Sequence, residues 1–156
     1  MSVTVPVELH YEFDVKASVD EVFDVLADVP VSASHFPKVD KLIDLGDNVY
    51  RWELQRVGTA QVHIQTVYAS KYVADRRRRT VRWTRLAGVG NAQIAGSWTL
   101  TPRKAWTHIA FEMHGEVTVA LPALMQFIVA PVVAAENRGL VETYIHNLTR
   151  RFGGKP

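Results

Sequence analysis

Apolar and polar residues alternate near the start of the chain. Leu9, Tyr11, Phe13 and Val15 interleave with His10, Glu12 and Asp14, which predicts a half-buried strand over residues 8–16. Ser18 and Glu21 have capping-box spacing, and Val22, Phe23, Val25 and Leu26 then recur on one helical face until Asp28-Val29-Pro30 stops the run. A second short helix is predicted over residues 31–36, ended by Pro37. From residue 39 to 119 the period is two. Turn signals at Gly46-Asp47-Asn48, Gly58, Ala74-Asp75, Gly88-Val89-Gly90-Asn91 and Pro102-Arg103-Lys104 divide this region into six strands, over 41–45, 50–57, 61–72, 80–86, 93–101 and 106–119. None of the intervening segments could carry a helical crossover, so the strands form an antiparallel meander.

A long helix follows. Pro122 suits a first turn, because its missing N–H would lack a partner there in any case. Apolar residues recur at Leu124, Phe127, Ile128, Pro131, Val132 and Ala135, and again at Leu140, Val141, Tyr144, Ile145 and Leu148, which predicts one continuous apolar face. Pro131 should kink the helix or remove one hydrogen bond, and Gly153-Gly154 ends it. The uncharged run 117–135 is long enough to span a membrane, but Pro122, Gln126 and Pro131 interrupt it and its first residues continue the strand alternation. It reads as a strand end followed by a buried core helix.

Composition narrows the function classes. A chain of 156 residues with 47% hydrophobic residues, four Trp, five Tyr and six Phe can bury a core, and residues 1–156 read as one domain. The absence of cysteine excludes disulfides, thiolate metal sites and cysteine nucleophiles. The net charge of +2 gives no case for nucleic acid as a partner. The arginine excess sits at Arg76-Arg77-Arg78-Arg79, a charged turn that blunts aggregation or, alternatively, touches anionic headgroups in a peripheral membrane contact. The N-terminus has neither a basic segment nor a long apolar one, so a cytoplasmic location is expected.

The order of strand, two short helices, six antiparallel strands and a long terminal helix resembles the helix-grip fold of the START/SRPBCC superfamily, which includes polyketide cyclases/dehydrases and coenzyme Q-binding proteins. The segment Val15-Lys16-Ala17-Ser18-Val19-Asp20-Glu21-Val22-Phe23 through Asp28 is similar to that family's opening strand and helix, and Phe36-Pro37 to the exit from its second helix. Arg79-Thr80-Val81-Arg82-Trp83 and Gly96-Ser97-Trp98-Thr99-Leu100 resemble its central hairpin. The resemblance runs from about residue 7 to 152 and implies an α+β fold: a seven-stranded curved antiparallel sheet around the C-terminal helix. It also implies a cavity between sheet and helix for a hydrophobic small molecule, such as a lipid, polyketide, isoprenoid or quinone.

Strand parity indicates which side chains would line such a cavity. Trp52 and Leu54 share a face with Tyr50, and Ile64, Thr66 and Tyr68 with Val62. Trp83 follows, then Gly96 and Trp98, then Phe111 and Met113, with Phe127, Ile128 and Val132 supplied by the helix. Gly96 would leave room by removing a side chain from the inward row. The same aromatics could instead simply fill a core. The sequence supports binding over turnover: Tyr68 is a candidate general acid, but no inward His–carboxylate pair emerges, and no cofactor or metal is called for. His108, Glu112 and His114 share a strand face that fits solvent better than a metal. Glu136 and Asn137 interrupt the helix's apolar stripe, either at the polar end of the cavity or facing solvent. A cyclase/dehydrase-type enzyme and a non-enzymatic interaction module remain the alternatives, and the oligomeric state is left open.

Overall fold

The computed structural model describes residues 2–58 and 63–156. Strand β1 (Val3–Val15) leads into α1 (Val19–Ala27) and α2 (Val29–Ala33). Then come β2 (Val39–Gly46), β3 (Val49–Leu54), the short β4 (Val57–Gly58) and β5 (His63–Ile64), β6 (Val67–Asp75), β7 (Thr80–Arg85), β8 (Ala92–Pro102) and β9 (Thr107–Val119). A 3-10 turn (Ala123–Met125) opens α3 (Gln126–Arg151). Seven strands form one antiparallel sheet in the order β1-β9-β8-β7-β6-β3-β2, with β4 and β5 paired apart from it. This is the helix-grip arrangement, α+β as expected.

The strand alternation works as a physical sorting. Every second residue of β9, from Thr107 to Val119, is buried, while Glu112 and His114 on the other face are exposed. Ser18 caps α1 by accepting a hydrogen bond from the Glu21 amide at 3.3 Å, and Asp28 does the same for α2 through the Val31 amide. Arg76, the first arginine of the β6–β7 turn, pairs with Asp24 and Asp20 of α1 and lies 4.4 Å from the centre of the Phe23 ring, so it clamps α1 to the hairpin. Just before α1, the C-terminal end of α3 is tied down: the Lys16 and Ala17 amides donate to the Gly154 and Phe152 carbonyls, each at 3.0 Å. Gly153 and Gly154 both take φ of +87°, which lets the chain turn back to make those bonds.

Two expectations are corrected. The predicted strand over 61–72 is broken between β5 and β6, and Asn91 is the cause. Its side chain accepts from the Val67 amide at 2.8 Å and donates to the carbonyls of Gln65 and Thr118 at 2.9 and 3.1 Å. These bonds replace ladder bonds on either side of Thr66 and hold the start of β6 against the end of β9. Residues 59–62, including Val62, lie outside the described residues.

The second correction concerns α3. Leu140, Val141, Tyr144 and Leu148 are buried as expected, but in the first half only Val129 and Val133 are. Phe127 is 91% exposed, Ile128 63% and Val132 55%. The first half is apolar on every side, so hydrophobicity there fixes no rotational phase. The second half, anchored at Tyr144 and Leu148, sets the phase for the whole helix and turns Phe127 and Ile128 outward.

Candidate functional site

Two hollows lie between the sheet and α3. The inner one is small, at ≈ 40 Å³, room for about one water molecule. Its walls are aromatic. Trp98 packs against Phe111 with ring centres 4.6 Å apart, Trp52 stacks on Tyr68 at 5.9 Å and 9°, and Phe36 caps Tyr144 at 5.0 Å. Two pairs of polar groups in this box bond to each other. The Trp52 indole N–H donates to the Tyr72 hydroxyl at 2.9 Å, and the Ser32 and Tyr144 hydroxyls pair across α2 and α3.

The outer hollow is larger, ≈ 180 Å³, and is framed by Leu54, Ile64, Ile94, Val117, Val133 and Leu140. Phe36, Tyr68 and Met113 border both hollows and form the partition between them. Polar groups on the outer wall are few: Thr66 and Tyr68 from the sheet side, Asn137 and Glu136 from α3. Among the described residues, the side chains of Thr66, Tyr68 and Asn137 have no hydrogen-bond partner within the protein. Glu136 is held by Lys38, whose Nζ lies 3.1 Å from its Oε1. Lys38 adopts a φ of +60° directly after Pro37, so the chain turns sharply between Phe36 at the partition and the ion pair at the rim.

The structure brings together most of the residues singled out from the sequence. Trp52, Trp83, Trp98 and Phe111 border the inner hollow; Leu54, Ile64, Thr66 and Val132 the outer; Tyr68 and Met113 both. Phe127 and Ile128 border neither, for the reason of helix phase given above. Gly96 also differs. It leaves no vacant space, because a Cβ there would lie 2.5 Å from Cζ2 of Trp83 and 2.3 Å from the Glu112 carbonyl oxygen; the missing side chain is what lets the Trp83 ring lie flat on β8. Ser32, Phe36, Tyr72 and Tyr144 were not singled out, although Tyr144 stands on the apolar stripe of α3 and Phe36 immediately precedes a proline.

Burial sets the chemistry available. The hydroxyls of Tyr68, Tyr72 and Tyr144 are all pushed well above the ordinary tyrosine range by removal from water, so each stays protonated and acts as a neutral hydrogen-bonding group. The strong charges lie elsewhere. On the outer face of β1 and β9, His108 contacts Asp14 at 2.8 Å and Glu12 at 2.9 Å, and His10 contacts Glu12 at 3.0 Å and Glu112 at 3.3 Å. Hydrogen bonds to Glu12 raise both histidines, and Glu12 is correspondingly lowered. Among the described residues this cluster does not converge as a metal site, and neither does any other group.

Comparison with known proteins places this architecture. A START superfamily protein from Mycobacterium smegmatis superimposes with a TM-score of 0.69 at 13% identity, covering 94% of this chain and 97% of that one. Zhui aromatase/cyclase from Streptomyces sp. R1128 gives 0.60 at 20% identity, covering 93% and 90%. Norcoclaurine synthase from Thalictrum flavum gives 0.58 at 18%, covering 94% and 86%. At these identities the likeness is one of fold. No curated protein matches the chain in sequence. The family described as polyketide cyclase / dehydrase and lipid transport matches residues 6–153. With its sheet, terminal helix and nearly its whole length accounted for in this way, the chain belongs to the polyketide cyclase / dehydrase and lipid transport family.

Proposed function

We propose that this protein binds and sequesters an apolar small molecule in the outer hollow, with the inner aromatic box as its floor. The observation that carries this reading is the ≈ 180 Å³ of space between sheet and helix, walled largely by aliphatic side chains. An apolar cavity of about 150 Å³ is large enough to take up benzene, so a hollow of this size suits a one-ring or compact two-ring molecule. Affinity would come from apolar area removed from water, at roughly 25 cal/mol per Å².

The family also includes cyclases and dehydrases. Sequestration is preferred here because Glu136, the carboxylate on the described hollow walls, is already paired with Lys38, and no histidine lies beside it. Without a free acid–base pair the hollow favours holding a molecule over moving its protons. A contact between the arginine turn and a membrane gains little support, since Arg76 is engaged with α1.

Native mass spectrometry of freshly purified protein, followed by organic extraction, tests the reading. The expected result is a bound apolar molecule that is lost in Val133→Trp, where an indole occupies the hollow. Protein that emerges empty and takes up no apolar probe added at saturation would overturn it.

A further inference from the structure

The walls of the outer hollow are aliphatic, yet three neutral polar side chains face it without partners among the described residues. Thr66 and Tyr68 stand two residues apart on one wall, and Asn137 projects from α3 on another. Among the described residues no buried side-chain polar atom lacks a hydrogen-bond partner, so these three groups are open to solvent in the hollow, and a ligand that displaces that water must replace its hydrogen bonds. In the neighbouring inner box, by contrast, the Trp52 indole is bonded to Tyr72 and the Ser32 hydroxyl to Tyr144. The Tyr68 hydroxyl is held protonated by burial, so it can donate; Thr66 can donate or accept, and so can the Asn137 amide. Charge is discouraged on two counts. The Lys38–Glu136 ion pair at the rim is already internally balanced, and among the described residues no unpaired cation lines the walls to neutralise a buried anion.

Taking the binding reading above as its basis, we infer that the hollow selects a compact, uncharged ring compound bearing a hydroxyl or carbonyl oxygen, held by Tyr68, Thr66 and Asn137, rather than a long-chain lipid or an organic anion. Size and polarity converge on this class. A long acyl chain would overrun ≈ 180 Å³, and a pure hydrocarbon would leave three polar groups dry.

The test is a set of backbone-amide NMR titrations with naphthalene, 2-naphthol, 2-naphthoate and oleate. Wild-type protein should bind 2-naphthol roughly five- to ten-fold more tightly than naphthalene, the gain expected from one or two added hydrogen bonds. It should bind 2-naphthoate and oleate more weakly than 2-naphthol. In Tyr68→Phe and in Asn137→Leu, the ratio of naphthol to naphthalene affinity should fall toward one. Equal affinity for naphthalene and 2-naphthol in the wild type, or a preference for 2-naphthoate or oleate, would overturn this inference while leaving the binding function standing. Failure of all four compounds to shift residues of the hollow would overturn both. Unfolding midpoints of the two variants show whether a lost ratio comes from lost fold: a ratio that stays high in well-folded variants also contradicts the assignment.

Discussion

The indole N–H of Trp52 donates to the hydroxyl of Tyr72, 2.9 Å away, across two neighbouring strands of the sheet. Both groups are buried and both need this bond. Trp52 is thereby fixed in the orientation that stacks it on Tyr68, and Tyr68 is one wall of the partition. Replacing Tyr72 by Phe keeps the ring and removes the acceptor, leaving the indole N–H unsatisfied. Stability should fall by about 1–3 kcal/mol in urea unfolding. An unchanged midpoint would mean that the bond contributes nothing.

Asn91 makes a sharper case, because one side chain bonds three backbone groups, in β6, in the segment just before it and in β9. Asn91→Ala should cost roughly 2–3 kcal/mol. It should also raise hydrogen exchange at the Val67 amide and, by freeing the backbone around Thr66, weaken binding in the outer hollow. A variant with normal exchange at Val67 would show that the turn stands without the side chain.

Much of the fold was legible because burial on one face leaves a period of two in β1 and β9 and a capping box before α1. What could not be read has definite physical origins. Asn91 looked like an ordinary turn residue, since nothing local reveals that its amide bonds backbone groups about 25 residues away in each direction. Phe127 and Ile128 were misplaced because an uncharged helical stretch carries no signal for which side faces inward. The lining from the strands followed from parity, whereas Phe36 and Ser32 enter the site from short helices whose orientation depends on packing against Tyr144.

Gly96 tests the packing of the inner box. Gly96→Ala places a methyl group against the Trp83 ring and the Glu112 carbonyl, and cross-strand neighbours leave neither room to withdraw. Destabilisation of about 1–3 kcal/mol is expected, with a shift in tryptophan emission as Trp83 moves. If the variant is as stable as the wild type, β7 and β8 are less closely packed than described.

The outer-face cluster on β1 and β9 predicts a pH dependence of definite sign. His108 is raised above its ordinary value of 6.5, so its contribution is complete below that value and is lost as pH rises through the higher folded one. Glu12 is lowered, so its contribution is present above its ordinary range and is lost as pH falls through the folded value. His108→Gln should therefore lower the unfolding midpoint more at pH 6 than at pH 9. The partners are partly exposed, which limits the effect at pH 6 to about 0.5–1 kcal/mol, or a few degrees. A larger deficit at pH 9 than at pH 6 would contradict the assignment.

Phe36 separates the two hollows. Phe36→Ala should join them, at a cost of roughly 1–3 kcal/mol because the ring is only half buried. Calorimetric titration should then show a gain in affinity for three-ring over two-ring hydrocarbons relative to the wild type. No change in that size preference would mean that Met113 and Tyr68 close the partition by themselves.

Occupation of the outer hollow is tested by titrating wild-type protein and Val133→Trp with naphthalene while following backbone-amide NMR shifts. Saturable shifts centred on Leu54, Ile64 and Val133 are expected in the wild type, and none in a Val133→Trp protein that keeps its native spectrum. A wild-type spectrum that stays still at saturating naphthalene, or equal binding by the filled variant, would contradict it.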